Sequence, residues 1–118
     1  MTVLNPVQMA EAIQEIMTEK SRLAVALTQA DAEYTTAKRD YEYARALAYR
    51  DADGTVKDRD MEVDRETIDA RKRCDDAGIA FRYANTRLRD KRDDLSAMQT
   101  LSKDVRQAYG ATSWEPGA

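Results

Sequence analysis

Apolar residues recur at alternating intervals of three and four positions over most of this chain. Such a repeat of 3.5 residues is typical of helices that pack side by side as in coiled coils. In the first half it passes through two series of positions seven apart: Ile13, Lys20, Leu27, Tyr34, Tyr41 and Ala48, and Ile16, Leu23, Ala30, Ala37 and Ala44. Charged residues fill most remaining positions, which predicts a solvated outer face.

The second half carries the same repeat. Its two series are Thr67, Cys74, Phe81, Leu88, Leu95 and Ser102, and Val63, Ala70, Ala77, Ala84, Lys91, Met98 and Val105. The repeat therefore predicts one long helix in each half of the chain.

Local signals predict where the first helix begins and ends. Asn5 is a favoured N-cap, and Pro6 suits the first helical position because its missing N–H has no helical partner there. The first glycine of the chain is Gly54, and glycine suits the left-handed backbone at the end of a helix. The first helix is thus predicted over about 6–50.

The second helix is predicted over about 56–109. Thr55 reads as its N-cap, with Asp58 three residues later as in a capping box, and Gly110 reads as its end. Gly78 lies inside this helix, where we interpret it as a close helix contact or a local bend.

These elements predict an all-α fold, a long antiparallel two-helix hairpin with coiled-coil-like packing. Two helices alone bury little, so we expect self-association into a dimer or higher oligomer, most simply a four-helix bundle. We expect a single helical domain over 1–110 and a flexible C-terminal tail over 111–118. The residues predicted to form the seam of the core or oligomer are Ile13, Ile16, Leu23, Leu27, Phe81, Leu88, Leu95 and Met98.

The composition disfavours several kinds of chemistry. Among 118 residues there are no His, one Cys and four Gly, which excludes an imidazole-based triad, a thiolate cluster and a glycine-rich phosphate loop. We therefore expect no catalytic, metal or cofactor site, and Cys74 is interpreted as a core residue. No apolar run approaches the roughly 20 residues of a membrane span, and no secretory signal is recognisable, so we expect a cytoplasmic protein with no membrane contact.

Charge is unevenly distributed. Residues 80–110 hold 7 basic and 4 acidic groups, whereas the whole chain has a net charge of −3. Candidate contacts to phosphate or to an acidic partner are Arg82, Arg89, Arg92 and Lys103, and candidate aromatic contacts are Tyr83 and Tyr43. The alternative is that this basic stretch pairs with acidic residues of the first helix, namely Glu11, Glu15, Glu19 and Asp31.

Two segments carry a family resemblance. Residues 41–48 (YEYARALA) and 88–101 (LRDKRDDLSAMQTL) resemble small helical proteins encoded by tailed bacteriophages, over roughly residues 25–107. Most of these proteins are uncharacterised, and many are encoded near recombination and replication genes. The resemblance implies a phage origin, a location in the host cytoplasm, and either an accessory role in DNA metabolism or an action on the host.

The leading functional hypothesis is a non-enzymatic phage accessory protein that acts through its helix surfaces. It would support recombination or replication by binding DNA or a DNA-handling protein. One alternative is an interaction module that binds or inhibits a host factor or defence system. A third is a scaffold or assembly protein of the virion.

Overall fold

The computed structural model describes residues 5–113, and within them the fold is all-α, as predicted. Helix α1 spans Pro6–Asp51, α2 spans Val56–Glu66 and α3 spans Ile68–Ser113. No strand occurs in this range. The first predicted helix is therefore present almost as expected, whereas the second is divided into α2 and α3.

Helix α1 begins at a reciprocal cap. The Asn5 side-chain oxygen accepts a hydrogen bond from the Gln8 N–H at 2.8 Å, and the Gln8 side-chain oxygen accepts one from the Asn5 N–H at 3.0 Å. Two N–H groups that lack helical partners are thereby satisfied. Pro6 follows as the first helical residue, where its ring costs no hydrogen bond.

The chain turns between α1 and α2 at Gly54. This residue has a φ of +105°, which side chains with a Cβ rarely adopt. Thr55 then caps α2, since its hydroxyl accepts from the Asp58 N–H at 3.2 Å. Both the glycine stop and the threonine cap lie where the sequence predicts them.

The prediction of an uninterrupted second helix is wrong, because Thr67 separates α2 from α3. This buried threonine has φ −104° and ψ 11°, and its hydroxyl donates to the Val63 carbonyl at 2.7 Å. Its backbone N–H bonds the same carbonyl at 3.0 Å. A hydroxyl that competes for a helical carbonyl tends to bend the helix, which explains the local distortion.

The two glycines of α3 do not interrupt it. Gly78 is buried, and a Cβ built on it would lie 3.2 Å from the Tyr34 ring of α1, so this position is a close contact rather than a break. Gly110 does not end the helix, which continues to Ser113. Of the predicted tail over 111–118, residues 114–118 lie outside the described residues.

The chain divides into two compact units. In the described range, the first unit contains residues 5–25 and 86–113, and the second contains Ala26–Asn85. Helices α1 and α3 each contribute to both units, whereas α2 belongs to the second alone.

Shielding from solvent follows the repeat of 3.5 residues within each unit. In the first unit Met9 and Leu88 are buried, and the predicted seam residues Ile13, Ile16, Leu23, Leu95 and Met98 are half-buried. In the second unit Ala48, Val63 and Ala70 are buried, and Leu27 and Phe81 are half-buried. The Tyr34 and Phe81 rings pack there with centroids 5.8 Å apart.

Removing one of these buried side chains should destabilise the protein. Leu88 is 3% exposed, so Leu88→Ala should lower the free energy of unfolding by roughly 2–5 kcal/mol through lost burial and a cavity. Met61, which is 64% exposed, supplies the control, and Met61→Ala should change stability by less than about 0.5 kcal/mol. Urea unfolding followed by circular dichroism measures both, and equal effects would contradict the described core.

Candidate functional site

The structure places the predicted basic contacts in two different units. Arg89, Arg92 and Lys103 belong to the first unit, where all three are exposed. Arg82 belongs to the second unit. The four residues are thus divided between the two units, and the contact role predicted for each of them stays a prediction.

The predicted aromatic contacts also lie in the second unit. Tyr43 is 67% exposed and Tyr83 is 63% exposed. Neither ring belongs to the unit that contains Arg89, Arg92 and Lys103, and the role of Tyr43 and Tyr83 as aromatic contacts stays a prediction.

Arg89, Arg92 and Lys103 belong to a longer row of residues on α3, which we call the cationic row. Its members follow one another at intervals of three and four residues, so they share one face of the helix. All are exposed: Arg89, Arg92, Ser96, Gln99, Lys103 and Arg106. Arg106 was not among the basic contacts predicted from the sequence. Its spacing of three residues from Lys103 indicates that the two side chains share one helix face.

No carboxylate interrupts the cationic row, and its cations are not neutralised within the described range. Arg89, Arg92, Lys103 and Arg106 form no ion pair with any residue of 5–113. Asp93 lies one turn after Arg89, next to the row, and it does not pair with Arg89 either. The row therefore presents four positive charges to solvent.

The opposite edge of the first unit holds the paired charges. Lys91 Nζ lies 2.7 Å from Glu19 Oε2 and 3.8 Å from Asp94 Oδ2. The hydrogen bond with Lys91 lowers the pKa of Glu19, and the same bond raises the pKa of Lys91. The predicted pairing with the acidic first helix is therefore found for Glu19, whereas Glu11, Glu15 and Asp31 form no ion pair within the described residues.

The positive charges of Arg87 and Arg22 lower the pKa of Glu19 further. Glu19 and Arg87 flank one side of the contact between α1 and α3. In the repeat of 3.5 residues Arg87 comes just before the shielded Leu88, whereas Arg89 and Arg92 come just after Leu88 and Lys91, so the cationic row flanks the other side. The α1 positions on that second side carry no charge and are exposed: Val7, Ala10, Gln14, Met17, Ser21 and Ala24. We call these six the uncharged row.

In the second unit, a polar cluster joins the end of α1 to α2. The Tyr49 hydroxyl donates a hydrogen bond to Asp60, and this bond raises the pKa of Tyr49. Arg59 Nη2 donates to the Tyr49 backbone carbonyl at 2.9 Å. Tyr49 is thus held by α2 through both its side chain and its backbone.

Arg45 extends this cluster one turn earlier. Its Nη1 lies 2.9 Å from Asp64 Oδ1, and its guanidinium lies over the Tyr41 and Tyr49 rings at 5.7 and 5.5 Å from their centroids. The pKa of Arg45 is raised, chiefly by the bond to Asp64. Sequence reasoning missed this cluster, although Tyr41, Arg45 and Tyr49 share one helix face at intervals of four.

The carboxylates of α2 are mostly engaged with neighbouring side chains. Arg65 Nη2 bonds both Glu62 carboxylate oxygens, at 2.7 and 2.8 Å. A hydrogen bond that the protonated Glu66 carboxyl donates to Glu62 raises the pKa of Glu66. Among residues 5–113 no group of three or more acidic or cysteine side chains is arranged to hold a metal ion.

An open groove of about 360 Å³ in the second unit is lined by Ala32, Glu33, Thr36, Ala37, Asp40 and Arg73. It brings together two carboxylates, one guanidinium and the hydroxyl of Thr36. No helix within the described part of the chain has the length and apolar character needed to cross a bilayer.

Comparison of the chain with protein families, curated proteins and solved structures finds no match. The resemblance to small bacteriophage proteins therefore stays a prediction.

Loss of the Tyr49 hydroxyl should weaken the α1–α2 connection in a pH-dependent manner. Because the native pKa of Tyr49 is raised, its stabilisation is complete below the ordinary tyrosine pKa of about 10 and is lost as pH rises through the native value. Tyr49→Phe should therefore lower the urea midpoint at pH 8, and the difference from the native protein should shrink at pH 11.

The control for this measurement is Tyr43→Phe, which removes the hydroxyl of an exposed ring. Its urea midpoint should equal that of the native protein at pH 8. A difference between native protein and Tyr49→Phe that stays constant up to pH 11 would show that the hydroxyl bond to Asp60 does not stabilise the fold.

Proposed function

We propose that this chain is a non-enzymatic helical protein that binds nucleic acid through the cationic row. The observation that carries the proposal is the set of four exposed cations in that row, which have no ion pair within the described residues. Phosphate groups are the common biological ligand for such a row, since each contact releases a condensed counterion. An accessory role in phage DNA recombination or replication belongs to this proposal and rests on the resemblance alone.

The acidic character of the whole chain does not oppose the proposal. Its calculated pI is about 5.0, but the acidic excess lies in the second unit. In that unit 14 acidic groups face 11 basic ones, whereas the described part of the first unit has 8 basic and 7 acidic groups. A polyanion that approaches the cationic row meets a local charge of the opposite sign.

Charge reversal on the row tests nucleic-acid binding directly. A labelled DNA duplex should bind at 50 mM salt in fluorescence anisotropy, with affinity falling steeply as salt rises. Arg89→Glu combined with Arg92→Glu should abolish binding, because two attractions become repulsions. Asp93→Asn should strengthen binding, since it removes the carboxylate beside the row.

Lys72→Glu combined with Arg73→Glu makes the same charge change on α3 in the second unit and supplies the matched control. It should leave most of the affinity intact, and all variants should keep native helicity in circular dichroism. Absence of binding to single- and double-stranded DNA at 50 mM salt would overturn the proposed function, as would an equal loss in the control.

We also propose that the long helices form an antiparallel hairpin, and that two hairpins associate into a four-helix bundle. In the described range the buried apolar residues are Met9, Ala48, Val63, Ala70 and Leu88, and the other seam residues are half-buried. Half-covered Ile, Leu and Met side chains retain apolar surface whose removal from water would stabilise a dimer. This favours a second copy of the chain as the partner of the seam.

Self-association is measurable as mass and as concentration dependence. Light scattering at micromolar concentration should give about twice the chain mass of 13.4 kDa. The thermal midpoint should also rise with protein concentration, because dimer formation stabilises the folded state by mass action. A monomer mass with a midpoint independent of concentration would contradict the four-helix bundle.

A protein partner is a second candidate, favoured by apolar exposure on the second unit. Ile79 and Tyr83 stand one turn apart on α3, and both are well exposed. Neighbouring exposed apolar residues at this spacing suit contact with a partner helix or groove. Under this alternative a host factor or a virion component would bind the second unit, and the cationic row would be dispensable.

A further inference from the structure

We infer that α3 bridges the major groove of B-form duplex DNA, with the two ends of the cationic row on the phosphates that border the groove. The inference rests on the proposed function and adds the form of nucleic acid and the orientation of the helix. It follows from the order of charged and uncharged residues along the row.

The four cations form two pairs separated by uncharged residues. Arg89 and Arg92 lie at one end, Lys103 and Arg106 lie at the other, and Ser96 and Gln99 lie between them. The centres of the two pairs are 14 residues apart, which is about 21 Å along an α-helix at 1.5 Å per residue. A continuous track of phosphates would favour evenly spaced cations, and the row does not have them.

The separation of the pairs suits the spacing of charge around the major groove. That groove is about 12 Å wide, and an α-helix with its side chains is about 10–12 Å in diameter. Cation pairs about 21 Å apart therefore extend beyond both groove edges, where the phosphates lie. Ser96 and Gln99 then lie over the groove, where no phosphate requires a positive charge.

The surroundings of the row favour a duplex over a single strand. Proteins that hold single strands stack the bases on aromatic rings. The cationic row contains no aromatic residue, and the exposed ring of Tyr109 lies one turn beyond Arg106, at the end of the row. The uncharged row contains only small, amide and aliphatic side chains. These side chains permit close approach of a rigid, regular surface, and they offer no platform for an unpaired base.

Duplex RNA is a poorer fit. In the A-form, the major groove is deep and narrow, so its bordering phosphates are not separated by a span that fits the two pairs. Because contacts fall on the backbone, little dependence on DNA sequence is expected.

Anisotropy titrations with three 24-nucleotide probes test the inference: duplex DNA, the single strand of the same sequence and duplex RNA. Duplex DNA should bind at least tenfold more tightly than either alternative. With four phosphate contacts, the slope of log K against log salt should be about −3.6 for duplex DNA. A major-groove ligand such as methyl green should compete, and a minor-groove ligand such as distamycin should not.

Neutralising either end of the row should have the same effect. Arg89→Gln with Arg92→Gln, and separately Lys103→Gln with Arg106→Gln, should each reduce the magnitude of the slope by about 1.8. The matched control, Lys72→Gln with Arg73→Gln, should leave the slope unchanged. Circular dichroism of each variant establishes that the helices are intact.

The outcomes separate this inference from the proposed function. Equal or tighter binding of the single strand or of duplex RNA, or dependence on one pair alone, would overturn the groove-bridging geometry and leave nucleic-acid binding in place. Competition by distamycin without competition by methyl green would overturn it too. Absence of binding to all three probes would overturn both.

Discussion

Burial of one narrow row of side chains along each long helix is the constraint on which the rest of this structure depends. Positions alternate at three and four residues, and those positions are the ones shielded from solvent in both units. The position of every other residue relative to this row determines its surroundings. Residues beside the row form ion pairs or exposed rows, and residues opposite it face water. The positions of the charges are thus a consequence of the apolar repeat rather than an independent feature.

The helices and their shielded positions were predictable because periodicity and capping are local properties. Asn5, Gly54 and Thr55 each act through neighbours within three or four residues, so the sequence contains the whole signal. The division at Thr67 was not predictable in this way. It depends on a buried hydroxyl sharing the Val63 carbonyl, and threonine at an apolar position does not by itself indicate that geometry.

The candidate site was predictable only in part. Net charge by segment drew attention to the second half of α3, and spacing defines which cations share a face. Spacing does not reveal which cations are neutralised from another helix, as Lys91 is by Glu19. Nor does it reveal where one compact unit ends and the next begins, a boundary that falls between Asn85 and Thr86. The Tyr49 cluster was missed because Asp60 and Asp64 alternate with basic residues along the chain, a pattern that does not indicate a partner on another helix.

The repeat of the shielded row also governs how the length of this chain can change. A single inserted residue rotates everything after it by about 100° around a helix of 3.6 residues per turn. Placed between Gly78 and Arg89, such an insertion would turn the positive side chains away from their present side and carry apolar ones into water. Seven residues would restore the phase to within about 20°. The segment around Gly54, outside any helix, is where descendants of this sequence can gain or lose single residues without shifting one face against another.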